Sequence, residues 1–283
     1  MKLSFVVPCF NEEGNVKKLL EEIKSTVSDK FDYEVVFVND GSSDHTGEIL
    51  KSMYEENKSL LQGITFSRNF GKEAAMYAGL KESRGDLVLI VDADLQQRPE
   101  IVRDMVAILE NEPDYDVVAA YQDRRSEGKV LSFFKKSFYA IINKLSKVQL
   151  QPDASDFRTF RRKVAESILA LPEYHRFSKG IFAWVGYNTC FIPYTACERA
   201  HGTTKWNFWK LLIYSIDGII GFSTMPLAIA SVAGVSFCII AFLLMLFLSP
   251  VYPIRKMLLM DCSLVSDSRR SLQIRSLPGI SDP

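Results

Sequence analysis

Over its first 120 residues the chain switches repeatedly between two hydrophobic periods, and that alternation restricts its fold more than any other feature. Short apolar runs lie at 3–7, 34–38, 62–66, 87–91 and 117–121. Between them, apolar residues recur at helical spacing around 15–26, 46–56, 72–82 and 100–110. Runs that are apolar along their length make strands buried on both faces. Strands alternating with helices build a mostly parallel sheet covered on both sides. The chain is therefore expected to be α/β. In such folds the residues after each strand open onto the ligand crevice.

The fourth run carries the strongest chemical signal. Leu87-Val88-Leu89-Ile90-Val91 is followed at once by Asp92-Ala93-Asp94, and Gln96 extends the series. Two carboxylates at one strand end repel each other unless a positive charge sits with them. Oxygen ligands of this kind suit Mg²⁺ or Mn²⁺ carrying a diphosphate. A single acid would suffice to cap the next helix; a spaced series points to a metal and a phosphate.

Charge and cysteine content exclude several classes. Lys+Arg and Asp+Glu both total 34, so no global charge indicates nucleic acid. Cys9, Cys190, Cys197, Cys238 and Cys262 are odd in number and lack Cys-x-x-Cys spacing, which fits a reducing compartment rather than a disulfide framework or zinc site. His45, His175 and His201 are isolated, and no Ser/His/Asp arrangement supports covalent acyl chemistry. With acids at Glu12 and Glu13, the first apolar run is too short for a signal peptide. There is no Gly-x-Gly-x-x-Gly after the first strand and no Gly-x-x-x-x-Gly-Lys, which disfavours dinucleotide oxidoreductases and P-loop enzymes.

The C-terminal part differs in kind. Residues 225–248 contain no charge, and as a helix they would reach roughly 36 Å against a hydrocarbon core of about 30 Å. They are expected to form a transmembrane helix. Just before, Trp206, Trp209, Ile213, Ile216 and Ile220 share one helical face, and Asn207, Lys210, Tyr214 and Asp217 the other. Residues 206–222 are thus expected to lie as an amphipathic helix in the membrane interface. The expected organisation is an α/β domain over 1–205, the interfacial helix, the span over 225–248 and an irregular, atypical tail over 249–283. Within the domain, a mixed region from about Arg124 to Lys205 holds basic helical stretches and a strand near 189–194.

Three loops should meet at the C-terminal edge of the sheet: Pro8-Cys9-Phe10-Asn11-Glu12-Glu13, Asn39-Asp40-Gly41-Ser42-Ser43-Asp44 and Asp92-Ala93-Asp94-Leu95-Gln96. Gly41 and the serines favour a tight turn, and Asp40 can accept from the N–H groups of a base. In this order, followed by Ser155-Asp156-Phe157-Arg158, these residues resemble glycosyltransferase family 2, nucleotide-sugar transferases of GT-A fold. The closer resemblance, over roughly 1–248, is to the polyprenyl-phosphate branch, the bactoprenol glucosyltransferases and dolichol-phosphate mannosyltransferases. Arg68-Asn69-Phe70-Gly71-Lys72, Arg176-Phe177-Ser178-Lys179-Gly180, Arg199-x-x-Gly202-Thr203-Thr204-Lys205-Trp206 and Asp217-Gly218 are similar to it too.

That resemblance implies that Pro8, Phe10, Glu12, Asp40 and Asp92 hold the donor nucleotide, and that Asp92, Asp94 and Gln96 gather Mg²⁺ or Mn²⁺ with the diphosphate. Asp94 and Asp156 would be the catalytic carboxylates. Asp156 is often treated as the family's base, but a lipid monophosphate is already largely ionised, with a second pKa near roughly 6. Asp156 is therefore expected to orient sugar or acceptor, with Arg158 as its partner; a loop ion pair between the two is the structural alternative. Two basic clusters, Arg124/Arg125/Lys129/Lys135/Lys136 and Arg158/Arg161/Arg162/Lys163, could serve an acceptor phosphate, for which arginine offers paired donors. Arg124 and either Lys135 or Lys136 match positions where the family clamps that phosphate, and Arg199 matches the arginine before the interfacial helix.

The implied reaction is inverting transfer of a monosaccharide, UDP-glucose being the favoured donor, to polyprenyl (undecaprenyl) phosphate for envelope glycans. The implied location is the cell membrane, with the catalytic domain on the cytoplasmic side. Nucleic acid is not a partner; a homo-oligomer is left open. Relatives usually carry two adjacent spans, whereas this chain shows one, then Ser249-Pro250 and a polar tail with Arg255, Lys256, Arg269, Arg270 and Arg275. One span would place that basic tail outside, against the tendency for Lys and Arg to stay cytoplasmic. An altered end or a segment that does not insert is expected. Two rival readings stand beside the first: a family 2 transferase extending a glycan, and an inactive membrane protein that keeps the fold. Processive synthases carry Gln-x-x-Arg-Trp, which this chain lacks.

Overall fold

The computed structural model describes residues 1–27, 29–97, 100–122, 139–140, 143–144, 151, 154–173, 176–195 and 220–248. The elements run β1 (Lys2–Cys9), α1 (Val16–Val27), β2 (Asp32–Asn39), α2 (Thr46–Glu56), β3 (Leu61–Thr65), α3 (Lys72–Glu82), β4 (Leu87–Ile90), α4 (Glu100–Asn111), β5 (Val117–Gln122) and β6 (Ala154–Arg161). Then come α5 (Arg162–Leu169), α6 (Ser178–Trp184), β7 (Thr189–Tyr194) and α7 (Met225–Leu248). Residues 1–223 and 224–283 are separate compact units.

The seven strands form one sheet in the order β3-β2-β1-β4-β6-β5-β7. β1 pairs in parallel with β2 and β4, β2 with β3, and β5 with β7. Only β6 runs against its neighbours, β4 and β5. The mostly parallel sheet expected from the alternating periods is present, and antiparallel β6 makes it mixed. Its apolar faces are covered on both sides. Val16, Leu19, Leu20, Ile23 and Val27 of α1 recur at the spacing of one helical face, and they pack with Met53 of α2 and Met105 and Leu109 of α4 against Phe5, Val7 and Phe37. On the other face Met76 and Leu80 of α3, Val164 and Ile168 of α5, and Ile181 and Phe182 of α6 cover Val6, Val88 and Phe160. Gly79 lets α3 lie close to the sheet, since a Cβ there would sit 2.4 Å from Val6 Cγ1.

The edge of the sheet at the N-terminal ends of β1, β2 and β4 is tied by one buried acid. Glu34 accepts from Lys2 Nζ, Ser4 Oγ and the Arg84 N–H, and so joins β1, β2 and the turn before β4. The opposite edge is the functional one. β1 lies between β2 and β4, so the loops after β1 and β4 diverge there and leave a crevice.

β6 is the element the sequence reading did not anticipate; the Asp156–Arg158 stretch is strand, not loop. Ala-Ser-Asp-Phe-Arg-Thr-Phe-Arg shows no clean polar/apolar alternation, because its polar residues are not on a solvent face. Thr159 is buried with its hydroxyl against Met105 Sδ at 3.2 Å, and Arg158 is 5 % exposed.

α7 is a 24-residue helix whose apolar side chains are exposed along its length. Within it, Leu227–Leu248 is long and apolar enough to cross a membrane, with a mean hydropathy of 2.6. Residues 206–219 of the expected interfacial helix and the tail over 249–283 lie outside the described residues.

Candidate active site

The crevice is built from five chain segments. The loops after β1 and β2 are sewn together: Asn11, in the left-handed region at φ 53°, receives the Ser43 N–H on its side-chain oxygen at 2.8 Å and donates its own N–H to Ser42 Oγ at 2.9 Å. The Glu12 N–H bonds Thr46 Oγ1, and the Glu12 carboxylate accepts from Asn15 Nδ2 at 2.7 Å. Pro8 is buried within β1 opposite Val38, and Phe10 follows the strand as the first residue of the loop.

The loop after β3 is shaped by the loop after β2. Asp40, buried, accepts the N–H groups of Phe70 at 2.7 Å and Gly71 at 2.9 Å and the side-chain amide of Asn69 at 2.9 Å. Gly41 sits beneath that loop at φ 63°, where a Cβ would lie 2.3 Å from the Arg68 carbonyl carbon. Asp40 thus has a structural duty besides the base recognition expected of it. These bonds launch α3 from Gly71 and fix where Lys72 begins.

Lys72 is the residue the sequence reading did not assign a role. Its Nζ lies 2.5 Å from Asp92 Oδ1 and 2.8 Å from Asp156 Oδ2. Asp156 lies on β6 and Asp92 just beyond β4, its antiparallel neighbour, and the register of the two strands pairs Leu87 with Arg161 and Ile90 with Arg158. Continued by two residues, that register sets Asp92 opposite Asp156. Burial works against the charge on Lys72, but Asp156 and Asp92 outweigh it and hold the ammonium well above the usual lysine range. Burial likewise opposes ionisation of Asp156; Lys72, then Lys179 and Arg158, overcome it and hold that carboxyl well below the usual range. Burial pushes Asp92 upward; Lys72 opposes this, while Asp156 and Asp94 reinforce it.

Neighbouring groups lock this arrangement. Asp92 is clamped by Gln97, whose Oε1 accepts the Asp92 N–H at 2.9 Å and whose Nε2 donates to Asp92 Oδ2 at 3.1 Å. Asp94 Oδ1 accepts the Gln96 N–H at 3.1 Å, in a turn that passes through Leu95 at φ 60°. Gln96 remains the glutamine expected at the metal and diphosphate; Gln97, 4 % exposed, orients the first carboxylate. On the other side of Lys72, Glu73 accepts the Ser178 N–H at 3.1 Å and the Ser178 hydroxyl, docking α6 beside the site. Lys179 follows directly.

Arg158 is at the site, and its charge lowers the Asp156 pKa as expected of a partner. The bonded partner of Asp156, however, is Lys72. The Arg158 guanidinium donates to the Ser155 carbonyl at 2.7 Å and stacks over Phe182 at 4.0 Å. The rest of the second basic cluster faces away, because β6 runs on to the opposite sheet edge. There Arg161 donates to the Tyr115 and Leu109 carbonyls, Arg162 to the Gly85 carbonyl, and Lys163 pairs with Asp116 at 2.7 Å. Those three hold the fold together. Arg124, Lys135, Lys136 and Arg199 lie outside the described residues.

Among the described residues no group of three or more His, Cys, Asp or Glu side chains forms a metal cage. The donor set does fit a cation that brings its own ligands. Asp92 and Asp94 follow the end of β4, and Asp156 Oδ1 is buried with no hydrogen-bond partner among the described atoms. Mg²⁺ commonly takes one or two carboxylates and completes its shell from substrate phosphates and water.

Comparison with known proteins identifies the family and the fold. The family model described as glycosyl transferase family 2 matches residues 4–169. An uncharacterised glycosyltransferase of Synechocystis sp. is 39 % identical over 236 residues, covering 83 % of this chain and 73 % of the relative. A prophage bactoprenol glucosyl transferase homologue of Escherichia coli K12 is 37 % identical over 249 residues, covering 86 % of this chain and 79 % of its own length. Among solved structures, a mannosyltransferase from Pyrobaculum calidifontis in complex with GDP-Man and Mn²⁺ superposes with a TM-score of 0.52 at 19 % identity, covering 75 % of this chain and 60 % of that one. With a GT-A-like sheet, an acidic crevice at its switch point and relatives spanning most of its length, the chain belongs to glycosyltransferase family 2 and is a glycosyltransferase.

Proposed function

We propose that the protein is a membrane-attached inverting transferase that moves glucose from UDP-glucose to polyprenyl phosphate. The observation that carries this reading is the meeting of Asp92 with Asp156 across β4 and β6, in a chain similar over most of its length to a bactoprenol glucosyl transferase homologue. α7 supports attachment by its length and composition. On this reading 206–222 lies in the membrane interface, 225–248 spans, and the catalytic domain is on the cytoplasmic side of the cell membrane.

An oxygen of the acceptor phosphate attacks the anomeric carbon from the face opposite the nucleotide. The bond from that carbon to the diphosphate oxygen breaks, UDP leaves with the electron pair, and the configuration inverts. A divalent cation, held by Asp92 and Asp94 with Gln96 nearby, would neutralise charge on the departing diphosphate as a Lewis acid. Pro8, Phe10, Glu12 and Asp40 line the nucleotide side. Arg124, Lys135, Lys136 and Arg199 are assigned to the acceptor phosphate.

Asp156 orients rather than deprotonates. A carboxyl held well below the usual range is a poor proton acceptor, and the acceptor phosphate has little left to lose. Its charge instead fixes the cationic groups around the crevice.

The deciding experiment incubates the purified full chain with undecaprenyl phosphate, Mg²⁺ or Mn²⁺ and a panel of labelled nucleotide sugars. Label entering the lipid phase from UDP-glucose supports the proposal. Transfer from GDP-mannose alone reassigns the donor, and hydrolysis alone or no transfer refutes it. For Asp156→Asn, activity should stay low from pH 6 to pH 9; recovery at high pH in step with acceptor ionisation would restore the base assignment.

A further inference from the structure

We infer that Lys72 is the built-in counter-ion of the crevice, a positioning residue that holds Asp92 and Asp156 together before substrate arrives and yields Asp92 when a divalent cation and nucleotide enter. The exchange with a cation rests on the proposed metal-assisted reading; the counter-ion role does not.

The geometry is specific. Lys72 Nζ bridges a carboxylate oxygen in the loop after β4 and one on β6, at 2.5 Å and 2.8 Å. Its backbone is held from both sides. Gly71, the residue before, bonds Asp40 on the β2 loop, and Glu73, the residue after, bonds Ser178 at the start of α6. A lysine on a solvated helix face needs no such anchoring. Facing carboxylates repel when both are ionised, and a cation between them lets both stay charged.

A lysine suits a temporary role. The ammonium is a compact point charge on a flexible four-carbon stem, able to swing away without moving the backbone. Asp92 Oδ2 remains held by Gln97 while Oδ1 changes partner. Asp156 Oδ2 keeps Lys72 nearby, so the displaced ammonium stays in the crevice and the carboxylates are never left bare.

Two measurements on the full chain in detergent test this. In EDTA without nucleotide, Lys72→Met should lower the unfolding midpoint by several degrees, and Asp156→Asn in that background should recover more than half of the loss. An unchanged midpoint, or a further additive drop on adding Asp156→Asn, overturns the counter-ion. Lys72→Gln serves the same cycle if the methionine variant does not fold. In Mn²⁺ titrations followed by electron paramagnetic resonance, Lys72→Met should bind Mn²⁺ about tenfold more tightly than wild type without UDP, since no ammonium competes. Lys72→Arg should return the affinity near wild type, which a merely structural role would not require. Equal or weaker Mn²⁺ binding in Lys72→Met overturns the exchange. Absence of Mn²⁺ binding in every protein, UDP included, sinks the metal reading and the exchange together, and the unfolding cycle alone then decides the counter-ion.

Discussion

Glu34→Gln isolates the polar tie at the sheet edge remote from the crevice. The wild-type carboxylate receives four donors and offers none. Its Oε1 accepts from Ser4 Oγ at 2.7 Å and the Arg84 N–H at 2.6 Å, and its Oε2 from Lys2 Nζ at 2.6 Å and Gln62 Nε2 at 3.3 Å. A glutamine of the same shape must turn its amide donors toward one of those pairs, leaving donor against donor in a site where the Glu34 side chain is 4 % exposed. Leaving such a buried group unsatisfied costs about 1–3 kcal/mol. Loss of the Lys2 pair adds at most about 1 kcal/mol, because Lys2 is 35 % exposed and screened by solvent. A total near 3 kcal/mol corresponds to a midpoint drop of roughly 6–12 °C for a unit of this size.

The pH dependence supplies the refutation. Burial opposes ionisation of Glu34, but the bonds from Lys2 and Ser4, then the Arg84 N–H, prevail and lower its pKa in the folded state. The stability it contributes is therefore complete above the ordinary glutamate value of about 4.3 and drains away as the pH falls through the lower folded value. Thermal unfolding followed by circular dichroism should show wild type and Glu34→Gln well separated at pH 7 and converging below about pH 4. No separation at pH 7, or a gap undiminished in acid, would refute the reasoning. Transfer activity per folded molecule should be unaltered, since Glu34 lies at the far edge of the sheet.

Three further outcomes follow from the crevice. Asp94→Asn should cut turnover by roughly 10²–10³-fold, about 3–4 kcal/mol in the barrier, with the unfolding midpoint near wild type; in wild type, EDTA should abolish transfer and Mn²⁺ or Mg²⁺ restore it. Gln97→Leu strands the Asp92 N–H and should cost about 1–3 kcal/mol of stability by denaturant titration, together with a fall in kcat. Gly41→Ala adds a left-handed-backbone penalty of about 1 kcal/mol and a clash with the Arg68 backbone, so calorimetry should show a clear loss of midpoint.

Much of the frame was legible because its signals are local. The apolar runs and helical faces locate β1 to β5, α1 to α4 and β7 to within a residue or two, and the acids that follow β4 mark the crevice edge of the sheet by themselves. Loop residues such as Asp40, Gly41 and Glu12 were legible as a set because each follows a strand. Even so, the Asp-x-Asp-x-Gln spacing singles out Gln96 and carries no signal for Gln97. Only the left-handed turn at Leu95 reveals which glutamine folds back on Asp92.

The sequence alone determined that an α/β sheet would present acids at a crevice, and that an apolar segment long enough to span a membrane would follow. These depend on hydrophobic period, strand ends and length, which neighbouring residues encode. Tertiary structure decided which distant groups share that crevice. Arg158, Arg161, Arg162 and Lys163 look alike in sequence, yet antiparallel β6 delivers the first to the site and the others to the far edge. Asp92 meets Asp156 through strand register, and Lys72 reaches both because Asp40 and Ser178 anchor the start of α3. Pairing between strands is a long-range contact, and nothing in the local sequence of either partner states the other's position.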